Sequence, residues 1–138
     1  MSFDRQQIAV PYSFKFLQRL DTALELQQSK STFFAVDEQE NIHAVVYLIW
    51  DQGCAYYLLA GDDPSKRASG AGILLVWEAI QFTKKELGLT LFDFQGSMIP
   101  SIERVRRQFG AKQCPYFLVQ KYNSRSFKWL ADLKRGRR

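Results

Sequence analysis

The stretch Arg67–Gly72 (Arg-Ala-Ser-Gly-Ala-Gly) joins a basic residue to two glycines, a composition suited to holding a phosphate. Gly70 and Gly72 lack a Cβ atom, so the backbone can turn sharply there and approach a ligand closely. Amide N–H groups at the start of the helix that follows lack intrahelical partners, and a diphosphate supplies the acceptors they need. The alternative is a turn in which the glycines serve only chain geometry. The residues predicted to bind the ligand are Arg67, Ala68, Ser69, Gly70, Ala71 and Gly72.

Asp93 is the most unusual carboxylate of the chain because it lies between Phe92 and Phe94 in an apolar run. We expect this run to be a buried strand, in which a carboxylate must be hydrogen-bonded, paired or protonated. Asp93 is therefore predicted to be buried and hydrogen-bonded. It is either a catalytic group or a structural anchor that accepts backbone N–H groups.

Two further polar residues have both a chemical and a structural interpretation. Glu103 lies one turn into a predicted helix, where it is either catalytic or a surface charge paired with Arg106 or Arg107. His43 is the only histidine and begins a strand, which favours a structural or exposed residue. The spacing of cysteine and histidine residues predicts no metal site.

Hydrophobic spacing and turn residues predict the elements that position these groups. Three strands before the glycine-rich loop should form antiparallel hairpins, and the strand after the long helix should run parallel to its neighbour. The chain is thus predicted to be an α/β protein with a mixed sheet and flanking helices. The predicted helices are Tyr12–Gln28, Gly72–Leu87 and Pro100–Gln108, with a short C-terminal helix through Phe127, Leu130 and Leu133. The predicted strands are Thr32–Asp37, His43–Trp50, Cys54–Ala60, Thr90–Gln95 and Tyr116–Lys121.

The composition is that of one globular domain over residues 1–138, with 46% hydrophobic and 24% charged residues. The net charge of +5 is concentrated in a basic C-terminal tail of about residues 123–138. Such a tail is either a solvated terminus or a segment that steers the chain toward RNA or anionic lipid. No apolar run is long enough to span a membrane and no signal pattern begins the chain, so we expect a cytoplasmic protein.

The motif Arg-x-x-Gly-x-Gly between a strand and a helix resembles the diphosphate loop of the GNAT acyltransferase superfamily. Other stretches resemble the C-terminal GNAT-like domain of Fem-type proteins, relatives of enzymes that build peptidoglycan cross-bridges from aminoacyl-tRNA. The stretches that carry this second resemblance are Tyr56–Leu58, Trp77–Ile80, Phe92–Ser97, Ile102–Glu103, Phe109–Ala111 and Pro115–Phe117.

The resemblance implies a GNAT fold in which the strands Cys54–Ala60 and Thr90–Gln95 splay apart. In that fold the loop binds the diphosphate of coenzyme A, and the thiol arm lies in the gap along backbone groups of the first strand, with Leu59 as a contact. It further implies acetyl-CoA or another acyl-CoA as donor and an amine of a small molecule or peptide as acceptor.

Transfer of an acyl group to an amine requires a base for the amine and a proton donor for the leaving group. The candidate catalytic residues are Asp93, Tyr116 and Glu103, with Ser97 and Tyr57 as further candidates. Many GNAT enzymes carry a tyrosine as general acid four residues before a Gly-Phe pair. The corresponding residue here is Arg106, which cannot release its proton at neutral pH.

Three functions therefore stay open. The leading one is an acyl-CoA-dependent N-acyltransferase. The second is a Fem-like transferase in peptidoglycan bridge synthesis, with tRNA contacted by the basic tail and by Arg104, Arg106 and Arg107. The third is a non-catalytic GNAT-like binding module. A homodimer, or pairing with a second GNAT-like domain, also stays open.

Overall fold

The computed structural model describes residues 12–96 and 99–115, together with residues 117, 119, 121, 123, 124, 126, 129 and 132. Four predicted features lie wholly or partly outside these residues: Ser97, Tyr116, the strand at 116–121 and the C-terminal helix. The helices are α1 (Phe14–Leu26), α2 (Ala71–Lys85) and α3 (Pro100–Gln108), with a 3-10 helix at Pro64–Ser69. The strands are β1 (Lys30–Val36), β2 (Ile42–Trp50), β3 (Ala55–Asp62) and β4 (Phe92–Asp93).

Helix α1 begins at its cap Ser13, whose hydroxyl accepts the N–H of Phe16 at 3.2 Å. An ion pair of 2.6 Å between Lys30 Nζ and Asp21 Oδ1 ties the helix to β1. The hydroxyl of Tyr47 in β2 donates to the same Asp21 oxygen at 2.8 Å. The helix is thus held to the sheet by polar contacts, and it has no fully buried residue.

The described sheet has the strand order β1-β2-β3-β4. Strands β1, β2 and β3 form two antiparallel hairpins, and β4 pairs parallel to β3. Helix α2 packs on the sheet, with Phe82 5.3 Å from the ring of Phe33 and 5.8 Å from that of Trp50. This arrangement confirms the predicted α/β fold with a mixed sheet. The buried core between the sheet and α2 consists of Ala44, Val46, Leu48, Ala55, Leu75 and Ala79.

Strands β3 and β4 pair only at Ala55–Phe92 and Tyr56–Asp93. Beyond Tyr56, β3 continues to Asp62 with β2 as its only neighbour among the described residues. The prediction that these two strands are neighbours is confirmed, but β4 is shorter than the predicted Thr90–Gln95. Gln95 and Gly96 have φ angles of 61° and 65°, in the left-handed region that an extended strand cannot contain. The two strands therefore part immediately beyond their paired residues.

Strand β3 is also longer than predicted, because Gly61 pairs with Val45 and Asp62 with Ala44. Its register shifts within the strand: Leu59 lies opposite Tyr47, whereas Tyr57 lies opposite Leu48. Leu58 is the extra residue, and a bulge of this kind bends a strand and increases its twist. The bend lies where β3 has lost its partner β4.

The prediction that Asp93 is buried is wrong, since Asp93 is exposed in β4 at the edge of the described sheet. Successive side chains of a strand point to opposite faces, so Phe92 packs inward while Asp93 faces outward. Its predicted hydrogen bond is present, because one carboxylate oxygen accepts the N–H of Gln95 at 2.7 Å. Asp93 thus closes the local turn, and burial no longer supports a catalytic role for it.

Candidate functional site

The predicted loop lies between β3 and α2 and is built largely as a 3-10 helix. Asp63 caps this helix by accepting the N–H of Ser65 at 3.0 Å, and Pro64 occupies its first turn. Gly70 then takes a left-handed conformation with φ 73°, and α2 begins at Ala71. The glycine-rich stretch is therefore a sharp reversal directly at a helix start, as predicted.

Both glycines of the loop face open space. A Cβ atom built at Gly70 or Gly72 would meet no protein atom within 4 Å. Only Gly70 needs the left-handed backbone that favours glycine, because Gly72 has no positive φ. The absence of a side chain at Gly72 leaves room at the helix start that the fold itself does not use.

The amide groups at the start of α2 are only partly satisfied. The N–H of Ala71 donates to Ser69 Oγ and that of Gly70 to the Arg67 carbonyl, each over 3.3 Å, which is long for such a bond. Over the described ranges, the N–H of Gly72 has no hydrogen-bond partner. The loop thus presents donors at the positive end of a fifteen-residue helix.

Arg67, the basic residue of the motif, is bound to Asp62 at the end of β3. Its Nε atom lies 2.5 Å from Asp62 Oδ2, and its terminal nitrogen NH2 lies 3.2 Å from Asp62 Oδ1. The carboxylate raises the pKa of the guanidinium further, so the charge is permanent. The side chain is still 58% exposed. Arg67 is therefore oriented beside the loop and remains accessible.

His43 connects the hairpin β1–β2 to the loop. Its Nε2 atom lies 3.0 Å from Asp37 Oδ2, and its Nδ1 atom lies 3.0 Å from Ser69 Oγ. His43 was predicted to be a structural or exposed strand residue, and nothing in the sequence indicated this connection. Asp37 and Ser69 are 6 and 26 positions away in the chain, and only the hairpin register brings them to one imidazole.

A second group of side chains lies where β3 and β4 part. The ring of Tyr57 lies 5.9 Å from that of Phe94, and the Arg106 guanidinium lies 5.8 Å above the Phe94 ring. Arg106 also donates to the carbonyl of Gly96. Burial raises the pKa of the Tyr57 hydroxyl, although the charge of Arg106 acts in the opposite direction, and burial lowers the pKa of Arg106. The aromatic cluster therefore holds a cation beside a phenol.

The other sequence-predicted residues occupy separate positions. Leu59 lies in the part of β3 that β4 does not reach. Glu103 forms an ion pair with Arg107 one turn later, which is the surface pairing that the sequence left open. Tyr116 lies outside the described residues. The catalytic roles of Asp93, Glu103 and Tyr116 stay predictions.

Two classes of site are not found in the described part of the chain. No three side chains among its histidine, cysteine, aspartate and glutamate residues are grouped as metal ligands would be. No helix within these ranges is long and apolar enough to cross a bilayer.

Comparison with known proteins places this architecture in a family. The model of the acetyltransferase (GNAT) domain matches residues 2–112. No curated protein matches the chain. The match to the GNAT model covers most of the sequence, including the loop and both splayed strands. The Fem-type branch is not shown and stays a prediction.

Solved structures show the same fold at low identity. A transcriptional regulator from Bacillus halodurans C-125 is 20% identical, with a TM-score of 0.63 over 86% of this chain and 83% of that one. Glucosamine-6-phosphate N-acetyltransferase from Arabidopsis thaliana is 12% identical, with a TM-score of 0.61 over 86% and 85%. An aminoglycoside antibiotic 6′-N-acetyltransferase from Acinetobacter baumannii is 17% identical, with a TM-score of 0.58 over 83% and 84%. With a family model that spans residues 2–112, the chain belongs to the GNAT acetyltransferase family of N-acetyltransferase-like enzymes.

Proposed function

We propose that this protein is an N-acyltransferase that takes the acyl group of an acyl-CoA, acetyl-CoA in the first place, and transfers it to an amine. One observation carries the proposal: β3 leaves β4 after Tyr56 and leads past the gap into the loop at the start of α2. A single strand thus leads from the gap to a helix start whose amide donors suit an anion. The amine belongs to a small molecule or a peptide.

The loop fits the diphosphate of coenzyme A. The Gly72 amide and the weakly bound Ala71 amide supply donors, and the glycines leave open space before them. Arg67 would add a charge-assisted contact from its exposed side chain. Residues Ala68, Ser69 and Gly70 would contribute by their place in the turn rather than by charge.

The part of β3 that β4 does not pair with fits the thiol arm. Backbone groups near Leu59 are the ones that β4 does not reach, and an edge of this kind accepts an extended ligand as a further strand would be accepted. When bound, the thioester supplies an activated acyl group. The bulge at Leu58 would set the angle of this edge.

At the cleft, we assign Tyr57 the role of proton donor. Burial keeps its hydroxyl protonated at neutral pH, and its ring is fixed against Phe94. Arg106 cannot act as an acid, but its fixed charge favours negative charge that develops nearby. Tyr116 is a second donor to be tested, and Asp93 and Glu103 are candidate bases for the amine.

Calorimetric titration with acetyl-CoA and CoA, followed by an assay of thiol release with a panel of amines, tests the proposal. We expect both ligands to bind and at least one amine to release free CoA. Failure of both ligands to bind the folded protein would contradict the proposal.

The alternative is the Fem-like transferase that uses aminoacyl-tRNA. It is supported by Arg106, which stands where many GNAT enzymes have a tyrosine acid, and by the exposed side chains of Arg104 and Arg107 on α3. Titration with bulk tRNA at two salt concentrations distinguishes it, because phosphate contacts weaken steeply with salt. Binding of tRNA without binding of CoA would favour this alternative, and binding of neither would favour a non-catalytic module.

A further inference from the structure

Three hydrogen bonds connect the β1–β2 turn to the first amide of α2. Asp37 Oδ2 contacts Nε2 of His43 at 3.0 Å, and Nδ1 of His43 contacts Ser69 Oγ at 3.0 Å. Ser69 Oγ in turn accepts the N–H of Ala71 at 3.3 Å. A titratable side chain is thus linked, through one hydroxyl, to the helix start that the proposed function assigns to a diphosphate.

The carboxylate of Asp37 determines which nitrogen of His43 carries the proton. Asp37 accepts the backbone N–H of Asn41 at 2.8 Å and two bonds from its side-chain amide, and these contacts hold the Asp37 pKa far below its usual range. An ionised carboxylate can only accept, so Nε2 of His43 must donate to it. In the neutral imidazole Nδ1 is then an acceptor, and the Ser69 hydroxyl donates its proton to it.

Protonation of His43 reverses the second bond of this chain. In the imidazolium both ring nitrogens are donors, so Nδ1–H donates to Ser69 Oγ. The Ser69 hydroxyl then no longer donates its hydrogen bond to the ring. Because Ser69 is exposed beside the helix start, its O–H can turn to an anion there. A positive charge is gained at the same time.

Two elements of the described chain bring further charged groups near His43. From the 3-10 helix, Lys66 Nζ lies 3.4 Å from Asp37 Oδ2. From β3, Asp62 pairs across the sheet with Ala44, next to His43, and holds Arg67. Asp37 is therefore the charged side chain that contacts the imidazole directly.

We propose that His43 is a positioning residue of the donor site, whose protonation turns the Ser69 hydroxyl toward the diphosphate and so tightens binding of the donor. This inference rests on the proposed function. It adds that donor affinity depends on pH through one imidazole, although the imidazole takes no part in the chemical step.

The single histidine makes the test direct, because one set of imidazole signals reports on His43 alone. The probe is dephospho-CoA, which lacks the 3′-phosphate that itself titrates with a pKa of about 6. Nitrogen-15 NMR of the whole chain gives the tautomer and the pKa of His43, with and without this ligand. Calorimetry gives its dissociation constant between about pH 5.5 and 8, the range in which histidine titrates.

We expect the neutral ring to carry its proton on Nε2 and its pKa to rise by about one unit on binding, which equals a roughly tenfold gain in affinity toward low pH. His43→Gln should abolish the pH dependence of the dephospho-CoA affinity. Ser69→Ala should only reduce it, because this variant loses the hydroxyl but keeps the imidazole and its positive charge. Thermal unfolding at each pH verifies that the variants are folded.

Binding with an unchanged His43 pKa and a pH-independent affinity would overturn this inference and leave the proposed function intact. A His43→Gln protein that is merely less stable, with the pH dependence retained, would overturn it as well. If dephospho-CoA and CoA both fail to bind at any pH, the proposed function falls and this inference falls with it.

Discussion

Arg67 and Asp62 face each other in a two-point ion pair, with Nε 2.5 Å from Oδ2 and NH2 3.2 Å from Oδ1. The pair joins the loop to the last residue of β3. The arginine that would contact a diphosphate is therefore oriented before any ligand arrives. Asp62 also places a negative charge beside the loop, and this charge repels an anionic ligand.

Replacement of the two partners of this pair should change CoA affinity in opposite directions. Arg67→Ala should weaken binding by about 1–2 kcal/mol, since one charge-assisted contact is lost from a site built mainly of backbone donors. Asp62→Asn should strengthen binding, because a negative charge beside the diphosphate is removed. Calorimetric titration of both variants measures the effect. A shift of affinity in the same direction for both would contradict a role of the pair in anion binding.

Alanine substitutions at the two loop glycines should have different effects on folding stability and the same effect on CoA binding. Gly70→Ala places a side chain at φ 73° and should cost roughly 1–2 kcal/mol of folding free energy. Gly72→Ala should be neutral or stabilising by about 0.5–1 kcal/mol, since Gly72 is helical and has space around it. Both should weaken CoA binding, because the added Cβ occupies the space before the helix start. Gly70→Val should weaken it further.

Gly88 supplies a matched control for the glycine variants. It has φ 68°, and a Cβ atom there also meets nothing within 4 Å, but it lies beyond the far end of α2. Gly88→Ala should therefore lose as much stability as Gly70→Ala and retain CoA affinity. An equal loss of CoA affinity in Gly88→Ala and Gly70→Ala would mean that the effect at Gly70 comes from general destabilisation.

Tyr57→Phe should lower kcat by about 10²-fold or more with little change in the affinity for CoA, as expected for a lost proton donor. The pKa of Tyr57 is raised by burial, so the acid form persists through neutral pH and the rate should fall only in alkaline solution. Steady-state kinetics against pH measure this. Tyr56→Phe is the control, since its hydroxyl donates to Asp51 Oδ2 at 2.9 Å instead. Equal effects of the two variants on kcat would argue against Tyr57.

Acid should destabilise the fold in part through Asp37. Its pKa is lowered chiefly by the side-chain amide of Asn41, and then by the Asn41 backbone, His43 and Lys66. A depressed carboxylate pKa stabilises the fold above the unfolded value of about 3.9, and this stability is lost as the pH falls below it. The thermal unfolding temperature of Asp37→Asn should therefore depend less on pH below about 3.9 than that of the wild type. Glu38→Gln, an exposed change in the same turn, should leave the profile as it is.

Local sequence was sufficient for most elements and for the place of the loop. The predicted start and end of α3 match the structure, because Pro100 suits a first helical turn and Phe109–Gly110 end it. The hairpins followed from short apolar runs separated by turn residues, and the position of Gly70 followed from its spacing before an apolar helix. These features depend on residues within a few positions of one another.

Tertiary structure decided the contacts that give the site its chemistry. The exposure of Asp93 depends on which face of β4 turns outward, a choice that its two phenylalanine neighbours do not reveal. The chain Asp37–His43–Ser69 requires both the hairpin register and the return of the loop beside it. In each case a shift of one residue in strand register would exchange the two faces. The sequence by itself determined most of the described elements and the place of the glycine loop. Only packing determined which polar groups meet, because a hydrogen bond requires a separation of about 3 Å between residues far apart in the chain.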